Sequence, residues 1–587
     1  LLNEVSGNPF AKVQPMPVKV LLRAMKKRLS LASWRVALSY PRTSLQLSLL
    51  GVLAGVSSAT LIILFRLSYE SLQLLWLDEV DNFSSIEPEM RLLIPIVGAL
   101  FIYLFARLTR FKHYRTGIPY VIYRVKNHNG LMPFKNTLNQ FFGGMAALAS
   151  GFSVGREGPA VHLGAGGSSF IGNWLKLPYN SIRILTGCGI AAGISASFNT
   201  PFAAVLFVME VVLREYKIHI FIPIMLSAAC GSVMSRLVFG DDHELAFLTI
   251  ADFDTWMYLY FIAFGALLGG ISTLFNMQIM NVIRWFRPVS MFYRLLLAGI
   301  ITGLVGWFVP KAMGSGFSAI HWIVTAPQDI QLLMYIVVAK FILTIFAIGL
   351  GIPGGLIGPV LGLGALLGAI LMYPLGLAYD DPSHLTSSFA ILGIAAFLTS
   401  VVHAPLAALS AVMELSNSVD VVLPAMLVIV PSYVTANQFF KNRSIFISQL
   451  DYQNLPYSTS SIRSTLQKVG VLALVDREYK LFVDATDKHI LDFLDTAPTH
   501  PVVQKSTYEI DVQYHLVQYD YSLNREENPL RFFPMQGVSS QATLAEVYEI
   551  LQNRREGAVY VQGATPASIV GVITWDAVRS YLYRKEY

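Results

Sequence analysis

Gly155-Arg156-Glu157-Gly158-Pro159 sets a cation beside an anion, between glycines, in a segment that otherwise reads as membrane-embedded. The residues that follow, Ala160-Val161-His162-Leu163-Gly164-Ala165-Gly166-Gly167, read as a helix of small residues. A proline in the first turn of a helix, with glycines before it, leaves backbone N–H groups without intrahelical partners. A helix start of that kind attracts anions. A carboxylate at the same point can occupy the anion position or leave it. The stretch therefore predicts an anion pathway with its own anionic gate.

Composition sets this stretch in a bilayer. The 587 residues are 54% hydrophobic and 14% charged, where soluble domains carry about 25% charged residues. Mean hydropathy is +0.53. Long apolar runs recur from about Leu45 to Phe440, among them Leu45–Phe65, Leu92–Ala106, Ile218–Val238, Met257–Ile279, Leu295–Val309 and Leu332–Leu350. Runs of about 20 residues read as membrane helices. Shorter runs broken by Gly and Pro read as half-helices, tolerated where protein or water surrounds them. Most of the glycines serve close helix packing on this reading. Cys188 and Cys230 lie in apolar segments, with no spacing for a disulfide framework or a metal, and read as packing residues. No signal peptide with a cleavage site is read.

Loop charges give an orientation. Lys12, Lys19, Arg23, Lys26, Lys27 and Arg28 precede the first span, and Asp78, Glu79, Asp81, Glu87 and Glu89 follow it. The next connection holds Arg107, Arg110, Lys112, Arg115, Arg124 and Lys126. The excess of basic residues on the cytoplasmic side puts the N-terminus and residues 107–126 there. Arg214/Lys217 and Arg284/Arg287/Arg294 read the same way, and Asp241/Asp242/Glu244 and Asp380/Asp381 read as external. The net charge of +6 needs no nucleic-acid partner to explain it.

The chain repeats itself after roughly 200 residues. Gly155-Arg156-Glu157-Gly158-Pro159 aligns with Gly355-Leu356-Ile357-Gly358-Pro359, and Leu163-Gly164 with Leu363-Gly364. Gly189-Ile190-Ala191-Ala192 matches Gly393-Ile394-Ala395-Ala396. Pro201-Phe202-Ala203-Ala204 matches Pro405-Leu406-Ala407-Ala408, and Val208-Met209-Glu210 matches Val412-Met413-Glu414. Duplicated transporters place their sites where the repeats meet, with broken helix ends pointing inward. Two helix starts converging there double the positive potential.

Three motifs stand in order: Thr116-Gly117-Ile118-Pro119, Gly155 to Pro159, and Gly355 to Pro359. Together they resemble the filter sequences of the CLC family of chloride channels and chloride/proton antiporters. The resemblance covers roughly residues 40–450. It implies an all-α polytopic membrane protein, an inverted repeat of tilted and broken helices, assembled as a homodimer with an anion path in each subunit. It implies chloride held near Gly155, Arg156 and Gly158, by backbone N–H groups at Leu356 and Ile357, and by the hydroxyl of Thr116, where the family usually has Ser. Dipoles suit this task, because a fixed full charge would hold the ion too tightly to release it. Glu157 takes the place of the family's gating glutamate.

Besides Thr116, and Ile357 where the family usually has Phe, two departures matter more. The second glutamate of family antiporters, which delivers protons from the cytoplasm, aligns with Val211. Glu210 beside it has a repeat mate, Glu414, and reads as structural. Glu215 lies four residues past Val211, on the same face if the helix continues. It is a candidate proton relay, read against a plain solvated charge beside Arg214 and Lys217. The family's inner tyrosine aligns with Phe446, which keeps the bulk and loses the donor.

After about Leu450 the composition turns polar. The expected domains are a cytoplasmic segment at 1–43, a transmembrane domain at 44–450 with halves at about 44–240 and 255–450, and a cytoplasmic domain at 451–587. Strands are expected at Val469–Val475, Val502–Gln504 and Ala558–Gln562, and a helix at Leu544–Asn553. The last helix–strand–strand run resembles a CBS motif, with a degenerate partner in about 463–530. The fold class is thus a helical membrane domain plus a small α/β CBS-like domain. Asp576 stands two residues after Thr574, where the CBS pattern has three, which weakens an adenine-nucleotide site against a structural clamp.

These readings favour a passive, Glu157-gated chloride channel, with a chloride/proton antiporter as the alternative. A fluoride exporter of the same fold fits less well, since those relatives differ in the first two motifs. The expected setting is the plasma (inner) membrane, with both termini cytoplasmic. No enzymatic activity, metal or cofactor is expected; chloride is cargo.

Overall fold

The computed structural model describes residues 31–583 apart from 43, 112–114, 241–244, 252, 326–328, 378–384, 458–460, 497, 509–510, 521–528 and 564–567. Lys12, Lys19, Arg23, Lys26, Lys27, Arg28, Lys112, Asp241, Asp242, Glu244, Asp380 and Asp381, used above for orientation, lie outside the described residues. Arg42–Gln467 form one compact unit. The second gathers the chain up to Pro41 with everything from Lys468 onward. The sequence expectation put these breaks at 43/44 and 450/451.

The second unit opens with α1 (Leu31–Leu38). In the large unit the first half runs α2 (Leu45–Gln73), α3 (Pro88–Leu108), α4 (Gly117–Asn127), α5 (Phe134–Ala149), α6 (Glu157–Trp174), α7 (Tyr179–Phe198), α8 (Pro201–Phe207) and α9 (Ile218–Phe239). The second half runs α10 (Met257–Trp285), α11 (Met291–Phe308), α12 (Phe317–Thr325), α13 (Ile330–Leu350), α14 (Ile357–Met372), α15 (Thr386–Val402), α16 (Pro405–Leu415), α17 (Val422–Val434) and α18 (Ile445–Tyr452). Nine helices among the described residues are long and apolar enough to cross a membrane. Others, such as α8, α15 and α16, are too short to do so. The Ser44 hydroxyl accepts from the Leu47 N–H and starts α2. Gly351, at φ 94°, stops α13 just before the second filter stretch.

The repeat read in the sequence is a repeat of structure. In each half a helix starts in the filter motif (α6, α14), a fully packed helix follows (α7, α15), and a short helix begins at a proline (α8, α16). Asn199 (φ 55°) and His403 (φ 61°) end α7 and α15 in the left-handed conformation at matching positions. Glycine lets the first two helices of each set touch: a Cβ on Gly189 would fall 2.2 Å from the Gly164 carbonyl oxygen, and one on Gly393 2.2 Å from that of Gly364. Small residues allow such backbone contact in a bilayer, where packing rather than water exclusion drives association.

The halves are also laced together. The Glu414 carboxylate accepts from the N–H groups of Phe202 (2.9 Å) and Ala203 (2.7 Å), at the start of α8. Glu210 accepts from Leu406 (3.3 Å) and Ala407 (2.8 Å), at the start of α16. Each repeat's glutamate thus caps the other repeat's short helix. A carboxylate there satisfies orphan N–H groups and matches the helix dipole.

The second unit holds two sheets. One has the order β1-β2-β3-β4, from β1 (Lys480–Val483), β2 (Val502–Tyr508), β3 (Asp511–Tyr519) and β4 (Leu530–Pro534). The other is β5 (Gln536–Ser539), β6 (Ala558–Gln562) and β7 (Ile569–Thr574), in that order. The unit also holds helices α20 (Asp487–Leu494), α21 (Leu544–Leu551) and α22 (Trp575–Tyr583), while α19 (Ser461–Leu466) belongs to the large unit. β1-α20-β2-β3 and β5-α21-β6-β7 share one topology: first and second strands parallel, second and third antiparallel. The Val469–Val475 strand is corrected: Val471–Ala473 form a 3₁₀ turn. The reason is tertiary, since the Gly470 and Val471 N–H groups bond to the carbonyls of Ser39 and Ala542, far away in the chain, rather than to a neighbouring strand.

Candidate anion site

The two filter stretches meet face to face. The Gly155 N–H donates to the Gly355 carbonyl (2.7 Å) and the Gly355 N–H to that of Gly155 (2.6 Å). This antiparallel bridge joins equivalent residues of the two repeats. It brings the starts of α6 and α14 to one point. Glycine is required, since a Cβ on Gly158 would fall 2.5 Å from the Gly354 carbonyl oxygen. The helices that begin at Glu157 and Ile357 therefore converge with their N-termini, the positive ends of their dipoles.

Glu157 sits in that convergence and is 2% exposed. A Cβ on Gly155, Gly355 or Gly358 would fall 2.0, 2.4 or 3.1 Å from one of its carboxylate oxygens. The carboxylate is folded onto the glycines, in the cradle where the helix starts favour negative charge. Its neighbour Arg156 is engaged elsewhere. The guanidinium lies over the rings of Phe198 (4.4 Å) and Phe317 (5.5 Å), and its Nη1 donates to the Tyr69 hydroxyl (3.3 Å). Arginine stacked this way keeps its charge near the site without a rigid grip on an anion.

Three cavities surround the carboxylate's helix. One, of about 650 Å³, is lined by Thr116 to Pro119, Gly158, Gly354 to Leu356 and Phe446. The structure therefore brings Thr116, Gly117, Ile118, Pro119, Gly158, Gly355, Leu356 and Phe446 to one cavity, while Glu157 and Ile357 line another. Thr116 is the N-cap of α4 yet makes no side-chain capping bond. The Gly117 N–H (φ 71°) donates instead to Gln140 Oε1 at 2.9 Å, a partner without a signal in the sequence. Phe446, 3% exposed, closes the wall from the start of α18.

A second cavity, of about 600 Å³, is lined by Glu157 itself and, apart from Thr200, is otherwise apolar. Glu157 is its only charged wall; Phe198, Phe207, Ile357, Leu361, Ala407 and Leu415 supply others. Ile357 thus faces this side while Leu356 faces the first cavity. A third cavity, of about 1630 Å³, is lined by Arg66, Tyr69, Asp81, Arg156, Lys311 and Phe317. Near it Lys340, fully buried, donates to the carbonyls of Gly314 (2.7 Å) and Met313 (3.3 Å). Asp81 accepts from the Ser315 N–H (2.9 Å) and hydroxyl (2.7 Å). The two charges hold the 313–316 loop against α14, where a Cβ on Gly316 would fall 3.2 Å from the Gly358 carbonyl oxygen.

The proton-relay positions are also fixed. Val211 is buried in a π-helical turn, Val208–Leu213, that extends α8. The turn ends at Arg214, whose φ of 55° is left-handed, so the helix does not continue to Glu215. Glu215 is not a solvated charge: it pairs with Arg183 of α7 at 2.6 Å, both side chains largely buried. Removing its partner would strand a buried charge, so the sequence reading of Glu215 is corrected to an ion pair.

Residues 94–437 match the family described as "Voltage gated chloride channel". A protein of Ralstonia nicotianae described as a ClcB-like chloride channel protein is 30% identical over 59% of this chain and 82% of its own length. The H(+)/Cl(-) exchange transporter ClcA of Klebsiella pneumoniae is 31% identical over 52% of this chain and 67% of its own. Among solved structures, a slow cyanobacterial Cl-/H+ antiporter superposes with a TM-score of 0.62 at 21% identity, covering 69% of this chain and 97% of that one. A eukaryotic CLC transporter does so with a TM-score of 0.57 at 18% identity, covering 90% and 97%. Fold, repeat and filter agree with these matches, and the protein is a multi-pass membrane protein that belongs to the voltage gated chloride channel, or CLC, family.

Proposed function

We propose that this protein exchanges chloride for protons across the membrane, with Glu157 as the group both ions use. One observation carries the proposal: Glu157 borders an apolar cavity, while Gly158 beside it and Gly355 and Leu356 of the facing stretch line a more polar one. The polar cavity offers backbone dipoles, the Thr116 hydroxyl and the gap beside Phe446, which suit an anion. Beyond the Thr200 hydroxyl, the apolar cavity offers an anion little to offset desolvation. Water or a neutral carboxylic acid is tolerated there. Ionised, Glu157 competes with chloride for the helix starts; protonated, it loses that attraction and yields the seat. A single carboxylate with separate approaches for anion and proton couples the two.

The ClcA relatives, named as exchangers, favour this over the passive channel that the sequence alone suggested. The channel remains the second reading because Val211 cannot hold a proton and Phe446 has no hydroxyl. In the exchange reading water in the apolar cavity serves in place of a side chain at 211, and Glu215 stays with Arg183. The shared β-α-β-β topology of the tail supports a CBS-like module. Asp576 there pairs with Arg579 of the same helix at 3.0 Å. We extend the proposal to a homodimer with both termini cytoplasmic.

Reversal potential tests the proposal, measured in reconstituted bilayers with equal chloride and unequal pH on the two sides. Exchange moves it away from zero; a pure chloride pathway leaves it at zero.

A further inference from the structure

A cavity of about 920 Å³ opens at the end of α10, against the link between α17 and α18. Three cations line it, Arg284, Lys441 and Arg443, with a single acid, Asp451. Arg443 and Asp451 pair at 2.7 Å, so Arg284 and Lys441 add unbalanced positive charge. Two polar atoms of lining residues, the Tyr452 hydroxyl and Asn276 Oδ1, are buried without a hydrogen-bond partner among the described residues. The wall also holds Thr273, Asn442 and Ser448, and two outward-facing apolar residues, Met277 at 50% exposure and Phe440 at 56%. Phe439 and Leu274 extend that apolar surface at 77% and 50% exposure. Cations, an unpaired donor and an unpaired acceptor beside exposed apolar residues match a phosphate head, its glycerol and an acyl chain.

The cavity shares a wall with the anion path. α18 turns Ser448, Asp451 and Tyr452 toward it and Phe446, Gln449 and Gln453 toward the polar cavity. Whatever fills the basic cavity therefore bears on the helix that carries Phe446.

We propose that this cavity binds an anionic phospholipid by its phosphate head, and that the bound lipid pins α18 so that Phe446 narrows the inner end of the anion path. Arg284 and Lys441 hold the phosphate, Tyr452 donates to it, and Asn276 accepts from the glycerol. A soluble phosphate would leave Met277 and Phe440 uncovered, which commits the site to a lipid.

The test uses the full chain reconstituted in phosphatidylcholine vesicles with and without phosphatidylglycerol. Chloride efflux and the lipid retained on the purified protein, counted by native mass spectrometry, are the readouts. The wild type retains phosphatidylglycerol and slows when it is present. Arg284→Gln/Lys441→Gln, both on exposed residues, binds it on the order of 25-fold more weakly, about fivefold per charge, and flows at one rate in both membranes. Arg107→Gln, a surface charge at the end of α3, keeps the wild-type response and controls for surface potential. Should the double variant not fold, Tyr452→Phe carries the retention measurement and loses lipid several-fold. Unchanged retention and slowing in these variants overturns the proposal. So does equal slowing by soluble glycerol phosphate in phosphatidylcholine alone, which would make the ligand a free anion.

Discussion

Thr116 and Phe446 line one cavity from opposite elements, and their chemistry predicts opposite changes. Thr116→Val removes a hydroxyl donor from an anion and should weaken chloride binding by about 1.5 kcal/mol, roughly tenfold. Calorimetric titration checks it, and unchanged affinity would take Thr116 out of the site. Phe446→Tyr restores a donor at the inner end. It should deepen that well by a similar step and slow flux, since an ion held longer leaves later. Faster efflux with no gain in binding would contradict this view of the constriction. Thr116 was legible in the sequence because filter motifs are local and contiguous, and Phe446 because it aligns with the family's inner tyrosine. Gln140 and the Arg183–Glu215 pair were not: each depends on elements brought together only by packing. Glu215 shows the limit most clearly, since its reading assumed a helix that a left-handed Arg214 ends.

Short helices are what the filter is hung on, and their stability comes from outside their own sequences. α8 and α16 each rely on the other repeat's glutamate for a cap. Glu414→Ala should cost about 2 kcal/mol, as for a strong N-cap, with Glu414→Gln costing less because one acceptor remains. Glu210→Ala should cost a like amount. Thermal unfolding of the purified protein reads this out; an unchanged midpoint in both alanine variants would mean that the caps are ornamental to stability. The duplicated Val-Met-Glu was visible as a pattern, and its structural character with it. Which N–H groups the carboxylates reach was not, because a 1-D repeat does not say that the partners are exchanged. The same holds for Gly155 and Gly355: their equivalence was plain, and their direct pairing needed the inverted arrangement of the halves. In the tail the reading erred where β-branched residues suggested a strand at Val469–Val475 and backbone bonds to Ser39 and Ala542 decided otherwise.

For the whole molecule, duplication puts one carboxylate at the meeting point of two halves and gives it two different surroundings. The anion side is built from helix starts that attract without gripping; the far side is apolar and selects against charge. On the proposed exchange function, this division makes Glu157 a point of exchange and not only a plug. Composition and hydropathy gave the membrane class, and the repeat gave the place of the site. The apolar cavity could not be read from either, since its walls come from α7, α8, α14, α15 and α16 together. The measurement that bears most directly on the account is proton movement in liposomes loaded with chloride and driven by its gradient alone. The account predicts that the wild type moves protons uphill in fixed proportion to chloride, and that Glu157→Gln passes chloride without protons and without a response to pH. Wild-type chloride flux that drives no protons would contradict it and return the protein to the channel reading.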